Sequence, residues 1–545
     1  MLIRTAKARA MMFSASRRRF VRQSAYAALA APALLRAAGA RGAAAGTGSR
    51  IYFDARRQIG SLDRKLFGSF LEHLGRAVYH GIYQPGSPLA DAQGFRTDVL
   101  EVVRKLGVPI VRYPGGSFAS QYHWQDGIGP PGARPRTLDL AWNTIETNRF
   151  GTDEFLAWCK AAGTLPYLTV NLGTGTIMQA AALVEYCNLP AGTRWSDLRS
   201  RYGHPAPYDV RFWGLGNELF GPWEIGHMSG EHYGRKAADA AQAMRRVDRS
   251  IYLVACGSSD PALASYLEWD REALKHCYHE VDAVSVHCYL GDTRAQTGGS
   301  PEKYVALNRV LERQIRDKLA VCEYVRTRLG VRKRLALALD EWNVWDSRKT
   351  RGNGDRQVAP HLLEEVYTLA DALVVGSMLN TMMRHADRIR IGCLAQLVNA
   401  LAPIMTDAHG LYLQTIYYPY RWALEFARGA SLELLVEAPS YPVPGLGPVP
   451  YIDAAATFDA ATGRRTLFAL NRDLEHARPV EIVWESAAPA RVGAAHVLTG
   501  EDLDATNRFG APRRVHPQRL DVPVTRGRRT RVELPARSYA VIEWA

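Results

Sequence analysis

Two acidic motifs follow apolar segments of the chain. Glu218 ends Phe212-Trp213-Gly214-Leu215-Gly216-Asn217-Glu218, and Glu341 lies in Leu335-Ala336-Leu337-Ala338-Leu339-Asp340-Glu341-Trp342-Asn343. A carboxylate directly after such a run destabilises a fold unless it is paired or used in chemistry. One such glutamate alone more often forms a structural ion pair or caps a loop. Two of them can share one reaction, in which a protonated carboxyl gives a proton to a leaving oxygen and an ionised carboxylate acts from the opposite side.

Cleavage of a glycosidic bond needs such a pair of carboxyl groups. When the two groups lie about 5–5.5 Å apart, the ionised one attacks the anomeric carbon and the configuration is retained. A wider gap admits a water molecule and inverts the configuration. The two motifs by themselves leave the separation, the sugar and the order of the two roles open.

The elements around these motifs repeat one theme from about residue 65 to residue 430. Short apolar segments end in Gly, Asn, Glu or His, and a longer amphipathic stretch follows each of them. Eight segments are predicted strands: 66–72, 110–116, 166–173, 210–218, 251–258, 283–289, 335–341 and 389–398. Plausible helices between them are 96–106, 152–162, 229–246, 302–329 and 362–380. This alternation is typical of a closed (β/α)₈ barrel or of a large doubly wound sheet.

The positions of the polar side chains favour the barrel, because a barrel collects its functional groups at the carboxyl ends of several different strands. Such residues follow the predicted strands here: Glu72, Arg112, Asn217, Glu218, His287, Tyr289, Glu341 and Gln396. After about residue 420 the chain changes to short alternating segments with turn residues, which predicts an antiparallel β-sandwich. The predicted fold class is therefore α/β, a (β/α)₈ TIM barrel over 65–420 with a C-terminal β-sandwich over 421–545. Residues 46–64 are predicted to form an N-terminal strand that pairs with the sandwich.

The first 45 residues have the composition of an export signal. They contain nine basic residues and no acidic residue. A basic beginning is followed by an apolar run over 24–35 and then by Ala-rich sequence. Ser16-Arg17-Arg18-Arg19-Phe20-Val21 resembles the twin-arginine motif of bacterial export signals. This segment predicts an exported protein, periplasmic or extracellular. A disordered basic tail or a wrongly chosen start codon is the alternative.

The overall charge does not indicate a nucleic-acid partner. The chain carries a net charge of +14, and the nine basic residues of the first 45 leave only +5 for the rest. No apolar run beyond the export segment reaches the roughly 20 residues that cross a bilayer, so no membrane partner is expected. The seven cysteines are scattered without a CxxC pair, which predicts neither a disulfide framework nor a zinc site. No metal or cofactor is expected.

Several motifs together resemble those of glycoside hydrolase family 51, the α-L-arabinofuranosidases of a clan of retaining barrel enzymes. The resemblance runs from about residue 51 to the C-terminus. It is carried by Phe67-Gly68-Ser69-Phe70-Leu71-Glu72-His73, Arg112-Tyr113-Pro114-Gly115-Gly116, Glu146-Thr147-Asn148, Asn171-Leu172-Gly173-Thr174, Gly216-Asn217-Glu218, Gly221-Pro222-Trp223, Asp340-Glu341-Trp342-Asn343-Val344-Trp345, Cys393-Leu394-Ala395-Gln396 and Ala402-Pro403-Ile404-Met405.

The resemblance implies roles for residues that match these motifs. Glu218 would be the acid/base, and Glu341 would be the nucleophile that forms a covalent arabinosyl-enzyme. Asn217 would bind the sugar 2-hydroxyl, a contact that strengthens in the transition state. Arg112 and Tyr289 would flank Glu341, because a positive neighbour and a hydrogen-bond donor favour an ionised carboxylate.

The resemblance also implies a set of sugar-contacting residues. His287 would share the face of its strand with Tyr289, two residues away. Ser117 stands where the family usually has Asn, so one hydroxyl contact of the sugar is expected to differ. The implied substrate-binding residues are Glu72, Arg112, Ser117, Asn217, His287, Tyr289, Gln396, Trp142 and Trp345.

The expected activity is that of a retaining, exo-acting α-L-arabinofuranosidase (EC 3.2.1.55). Its substrates would be terminal α-L-arabinofuranosyl residues of arabinan, arabinoxylan or their oligosaccharides. The alternatives are a retaining β-xylosidase or endo-β-glucanase on the same scaffold, or a non-catalytic sugar-binding protein. A homo-oligomer is possible by analogy with the family, although no sequence feature indicates one.

Overall fold

The computed structural model describes residues 48–291, 297–346 and 354–545. The predicted export segment, residues 1–45, lies outside these ranges. The described chain begins with two short strands, β1 (Ser49–Phe53) and β2 (Gln58–Ser61), which pair with strands from the C-terminal part of the chain. Residues 48–545 form one compact unit.

Eight parallel strands then close into a barrel, which confirms the predicted fold class. Each strand falls on one of the eight predicted segments, because a strand buried on both faces needs an uninterrupted apolar run. The hairpin of β5 (Thr137–Asp139) and β6 (Thr144–Glu146) lies outside the barrel, after its second strand. The barrel strands, which pair in chain order, are β3 (Gly68–Phe70), β4 (Ile110–Tyr113), β7 (Leu165–Val170), β8 (Phe212–Leu215), β9 (Tyr252–Ala255), β10 (Ala283–Tyr289), β11 (Ala336–Asn343) and β12 (Ile389–Ala395).

Ten helices lie in the described residues. Four match predicted helices closely or in part, and the predicted helix over 302–329 is divided into the two elements α7 and α8. The helices are α1 (Thr97–Leu106), α2 (Thr152–Ala162), α3 (Ile177–Asn188), α4 (Arg194–Arg201), α5 (Gly230–Val247), α6 (Glu268–Cys277), α7 (Pro301–Tyr304), α8 (Asn308–Leu329), α9 (Leu369–Arg384) and α10 (Tyr417–Phe426). None of these helices combines the length and the apolarity that crossing a bilayer needs.

The C-terminal part forms two facing sheets, here called the sandwich. One sheet has the order β16-β1-β21-β24, and the other has the order β2-β15-β19-β20-β25-β22-β23. The strands after the barrel are β13 (Ile404–Thr406), β14 (Leu411–Leu413), β15 (Ala430–Leu432), β16 (Leu435–Glu437), β17 (Ser440–Val443), β18 (Gly447–Pro450), β19 (Ile452–Phe458), β20 (Arg465–Asn471), β21 (Arg478–Trp484), β22 (Val492–Leu498), β23 (Gln518–Arg519), β24 (Arg529–Leu534) and β25 (Ser538–Trp544).

Helix α9 connects the barrel to the sandwich. Nearly all of its side chains are buried, because one side packs in the barrel and the other side packs on β19 and β20. Several polar contacts cross this boundary. Among them, Asn380 Nδ2 donates to Asp453 Oδ2 at 3.0 Å, Tyr539 Oη donates to Asn380 Oδ1 at 3.0 Å, and Arg384 Nη1 donates to the Ala454 carbonyl oxygen at 3.0 Å. The sandwich thus closes the outside of the barrel and leaves the carboxyl ends of the barrel strands for the site.

Candidate active site

Glu218 and Glu341 meet at the carboxyl end of the barrel. Glu341 lies within β11, and Glu218 follows the end of β8 by three residues. A carboxylate oxygen of each glutamate and a ring nitrogen of His287 lie within 4.8 Å of one another. Glu218 adopts φ = 40°, a left-handed backbone conformation that is rare outside glycine and is common at functional sites. The spacing corresponds to the retaining arrangement, because the inverting one needs carboxyl groups about 6.5–9.5 Å apart.

Two donors fix the carboxylate of Glu341. Arg112 Nη1 donates to Oε1 at 2.5 Å, and Tyr289 Oη donates to Oε2 at 2.8 Å. Burial opposes the charge of the guanidinium, but Asp340 and Glu341 outweigh it and raise the pKa of Arg112. Gly116 allows the close approach on the same side, since a Cβ there would lie 2.8 Å from Glu341 Oε1. The arrangement presents one oriented carboxylate to the cleft.

Glu218 has a different pair of donors. His287 Nδ1 lies 2.8 Å from Oε1, and Trp223 Nε1 donates to Oε2 at 2.7 Å. Burial opposes a charged imidazole, but the negative charges of Glu341, Asp340 and Glu218 raise the pKa of His287 to about 10. Burial also opposes a charged Glu218, yet the contacts of His287 and Trp223 lower the pKa of Glu218. His287 and Glu218 therefore form a hydrogen-bonded pair that holds one proton at neutral pH.

Asp340 lies behind Glu218 and Glu341 and adds another negative charge beside Arg112 and His287. It accepts hydrogen bonds from Ser285 Oγ at 2.6 Å and Tyr167 Oη at 2.7 Å, and its Oδ2 lies 3.6 Å from Arg112 Nε. Burial would raise its pKa, but the charge of Arg112 and the contacts of His287 lower the pKa of Asp340 to about 2. Sequence reasoning assigned no role to Asp340. Its signal was a second acid next to Glu341 in a run that is otherwise apolar.

The sugar-binding side of the cleft is arranged around Glu72. Its Oε1 accepts from the Phe118 amide at 2.9 Å and from Trp142 Nε1 at 3.2 Å, while its own amide donates to Gln396 Oε1 at 2.9 Å. Burial and the charge of Glu341 raise the pKa of Glu72 to about 8. A neutral Glu72 can both donate to and accept from a sugar hydroxyl.

The structure brings all the sequence-predicted site residues together. A cleft of about 890 Å³ is lined by every one of them except Arg112, which lies beneath its floor. The Trp345 ring meets the Tyr289 ring edge-on at 5.5 Å. The predicted lining residues are Glu72, Ser117, Trp142, Asn217, Glu218, His287, Tyr289, Glu341, Trp345 and Gln396. Sequence reasoning missed Trp223 and Glu224 as functional residues, although Trp223 lies in a motif that carried the resemblance.

Helix α8 supports the cleft from outside the barrel. Gln314 Nε2 donates to the carbonyl oxygens of Ser259 at 2.7 Å and of His287 at 2.9 Å. Lys318 Nζ lies 2.5 Å from both the Ser258 carbonyl oxygen and Asp270 Oδ2, and the lysine is fully buried. These contacts hold the loop after β9, which lines the cleft, and the strand that carries His287.

Glu218, His287 and Glu341 are also the one group of three His, Cys, Asp or Glu side chains, within the described ranges, that lie close enough to share a metal ion. The raised pKa of His287 means that its ring carries a proton toward Glu218. The hydrogen bond between His287 and Glu218 is suited to proton transfer.

Comparisons with known proteins identify the family. A family model described as Alpha-L-arabinofuranosidase C-terminal domain matches residues 340–538, and one described as Alpha-L-arabinofuranosidase 1 domain matches residues 102–296. A solved structure of a family 51 α-L-arabinofuranosidase from Bifidobacterium longum is 39% identical in sequence to this chain, with a TM-score of 0.88 over 91% of this chain and 99% of that chain. The intracellular exo-α-(1→5)-L-arabinofuranosidase 1 of Bacillus subtilis is 45% identical over 84% of this chain and 92% of the relative. The chain belongs to the family 51 α-L-arabinofuranosidases.

The family is also seen with sugar. The α-L-arabinofuranosidase of Thermotoga maritima, solved as an arabinose complex, is 34% identical to this chain, with a TM-score of 0.79 over 91% of this chain and 99% of that one. These matches confirm the resemblance to glycoside hydrolase family 51 that the sequence motifs indicated.

The prediction of an exported protein is wrong. Five relatives of this family 51 α-L-arabinofuranosidase, 38% to 45% identical to it, are named intracellular enzymes. The prediction was based on the basic and Ala-rich composition of residues 1–45 and on a twin-arginine-like motif, and Arg36 interrupts the apolar stretch. Composition and one short motif do not by themselves establish an export signal.

Proposed function

We propose that this α-L-arabinofuranosidase releases terminal α-L-arabinofuranosyl residues from arabinose-containing oligosaccharides and arabinan by double displacement. Glu341 is the nucleophile and Glu218 is the acid/base. The observation that carries the proposal is the short spacing of the two carboxylates, each with a different set of donors. The names of the relatives, exo-α-(1→5)- and exo-α-(1→6)-L-arabinofuranosidases, support the sugar and the exo action.

In the first step Glu341 Oε attacks the anomeric carbon while Glu218 protonates the leaving glycosidic oxygen. Arg112 and Tyr289 hold Glu341 in line for attack. The bond from the anomeric carbon to the leaving oxygen breaks, and an ester between arabinose and Glu341 forms. Asn217, whose Oδ1 accepts from Arg112 Nη2 at 2.8 Å, is placed beside both carboxylates, where the sugar 2-hydroxyl is expected.

The contact between His287 and Glu218 explains how a carboxyl group with a lowered pKa can act as an acid. Glu341 is the largest of the charges that raise the pKa of His287. As Glu341 forms its ester, that charge disappears and the ring holds its proton less strongly. The one proton of the pair then shifts from His287 Nδ1 along the 2.8 Å hydrogen bond to Glu218, and Glu218 passes a proton to the leaving oxygen, so that the pair ends the step without a proton.

In the second step Glu218 acts as a base. It takes a proton from a water molecule that attacks the anomeric carbon, and the bond to Glu341 breaks. Two inversions at one carbon give arabinose with retained configuration.

Aryl glycosides test the proposed substrate directly. The enzyme is expected to release the aryl group from an aryl α-L-arabinofuranoside at least about a hundredfold faster than from an aryl β-D-xylopyranoside, because one misfitted sugar contact of this kind costs two orders of magnitude or more. Proton NMR of the first product formed should show retained configuration. Preference for the xyloside would assign the protein to the xylosidases, and turnover of neither glycoside would indicate a sugar-binding protein.

Replacement of His287 by Gln tests the shared proton. In the wild type the proton of the pair lies on the imidazole of His287, whose pKa its carboxylate neighbours raise to about 10, whereas in the variant only the carboxyl group of Glu218 can hold it. The variant is therefore expected to lose its proton at lower pH, so that the alkaline limb of the kcat/KM profile moves to lower pH. The measurement is kcat/KM for an aryl arabinofuranoside between pH 5 and pH 10.

Trp223→Phe is the matched control, because it removes the other donor to Glu218 without removing a titratable group. The indole N–H favours the ionised carboxylate, so its loss lets Glu218 keep its proton to higher pH. The alkaline limb should move in the opposite direction. If the alkaline limb of the kcat/KM profile stayed at the same pH in His287→Gln, Glu218 would not share its proton with His287.

A further inference from the structure

Another carboxylate, Glu224, lies beneath the floor of the cleft and is only 2% exposed. Its Oε1 accepts from Ser120 Oγ at 2.5 Å and from Asn217 Nδ2 at 3.2 Å, and its Oε2 accepts from Ser117 Oγ at 2.8 Å. It forms no ion pair with a basic side chain in the described ranges. The double displacement gives this buried group no step, so its three hydrogen bonds need another explanation.

The contact with Ser117 fixes what that hydroxyl offers to the cleft. A serine hydroxyl has one proton and two lone pairs. Ser117 lines the cleft, and its proton is directed down to Glu224. Only its lone pairs are left for the substrate, so Ser117 acts as a hydrogen-bond acceptor there.

The contact with Asn217 fixes the direction of an amide that lies between two charges. Asn217 Oδ1 accepts from Arg112, and Nδ2 donates to Glu224. A reversed amide would set its N–H groups against the guanidinium and its oxygen against the carboxylate. With Glu224 ionised, Asn217 therefore has one orientation beside Glu218.

We propose that Glu224 is a positioning residue with two effects on the hydroxyl groups of the bound arabinofuranosyl ring. It makes Ser117 a hydrogen-bond acceptor toward them, and it holds the Asn217 amide in one orientation beside them. This inference rests on the proposed function. Glu224 acts through Ser117 and Asn217 and does not itself touch the substrate. A sugar hydroxyl that faces Ser117 must donate its proton to it, which selects for a hydroxyl at that position of the ring.

The direction of these hydrogen bonds depends on the ionised form of Glu224. Burial and the charge of Glu218 raise the pKa of Glu224 to about 7, although its three donors lower it. The other groups that face it are the Cys256 thiol and, through Asn217, Arg112. A protonated Glu224 cannot accept from all three donors at once. The positioning effect is therefore half developed near pH 7, complete well above it, and lost as the pH falls below it.

Glu224→Gln tests the inference, because it keeps the shape of the side chain and removes its charge at every pH. The ratio of wild-type kcat/KM to variant kcat/KM is expected to be near one at pH 5.5 and about ten at pH 8.5, as one or two hydrogen bonds are lost. The substrate is an aryl α-L-arabinofuranoside. A role in folding alone would lower Tm and give a ratio that does not change with pH.

Deoxyfluoro substrates test the direction of the hydrogen bond. Fluorine accepts but cannot donate, so the wild-type enzyme should act more slowly on either the 3- or the 5-deoxyfluoro aryl arabinofuranoside than on the parent. In E224Q the amide N–H₂ faces Ser117, whose hydroxyl is then free to donate to fluorine, and the penalty should shrink severalfold. Ser120→Ala is the matched control: it removes a donor to Glu224 away from the cleft, and should keep the wild-type penalty at pH 8.5.

Equal pH profiles and equal fluorine penalties in the wild type and E224Q would overturn the inference. Should E224Q fail to fold, Ser117→Ala decides instead, because it should shrink the penalty severalfold to the part that fluorine causes by withdrawing electrons from the transition state, and a penalty of unchanged size contradicts the proposed acceptor. A wild-type enzyme that does not cleave the parent aryl arabinofuranoside would refute the proposed function itself, which is a separate result.

Discussion

Glu341→Ala is expected to lower kcat on the order of 10⁵-fold, because the variant cannot form the covalent intermediate. The remaining contacts, including Arg112 and Tyr289, would still bind the sugar, so KM should change far less than kcat. Added azide fits the space of the lost carboxylate and attacks the anomeric carbon from the same face. With Glu218 still protonating the leaving oxygen, the product should be the arabinofuranosyl azide of inverted configuration.

The measurement is initial-rate kinetics on an aryl α-L-arabinofuranoside with and without azide, followed by NMR of the azide product. Glu475→Ala, at an exposed position of the sandwich, is the control for a general effect of losing a glutamate and should keep wild-type activity. Rescue that gives an azide of retained configuration would mean that Glu341 is the acid/base.

Glu218→Ala is expected to reduce kcat by roughly 10²- to 10⁴-fold on substrates with poor leaving groups, the usual contribution of a general acid. Aryl substrates with good leaving groups need little protonation, so their arabinosyl-enzyme should still form and then accumulate, because no base activates the water. Added azide needs no base, and it attacks from the face that Glu218 occupied. The product should be the arabinofuranosyl azide of retained configuration.

A series of aryl arabinofuranosides with different leaving-group pKa values measures this effect. In the variant, log kcat/KM should fall steeply as the leaving-group pKa rises, whereas in the wild type it should change little. A variant whose rates are reduced equally for every leaving group would show that Glu218 does not protonate the leaving oxygen.

The strands of the barrel could be predicted because each is a buried apolar run that ends in a polar residue. Helix prediction was less complete for a related reason. Helix α3 has apolar residues on most of its faces and is largely buried, so it lacks the amphipathic period that distinguishes a helix. The predicted helix over 362–380 begins instead at residue 369, where Thr368 and Asp371 cap each other's backbone amides. Local apolar character could not locate that cap.

The sequence by itself determined that two acids lie at the carboxyl ends of strands four and seven of a barrel and that glycoside chemistry suits them. Those features depend on local pattern. A strand that is buried on both faces needs a continuous apolar run, and the acid lies where that run ends. Only the tertiary structure decided the 4.8 Å grouping and the different neighbours of the two glutamates. Arg112 and Tyr289 reach Glu341 from other strands, as His287 reaches Glu218, and Glu224 contacts Ser117 across 107 positions of the chain. Such contacts depend on how the barrel closes, which no local pattern encodes.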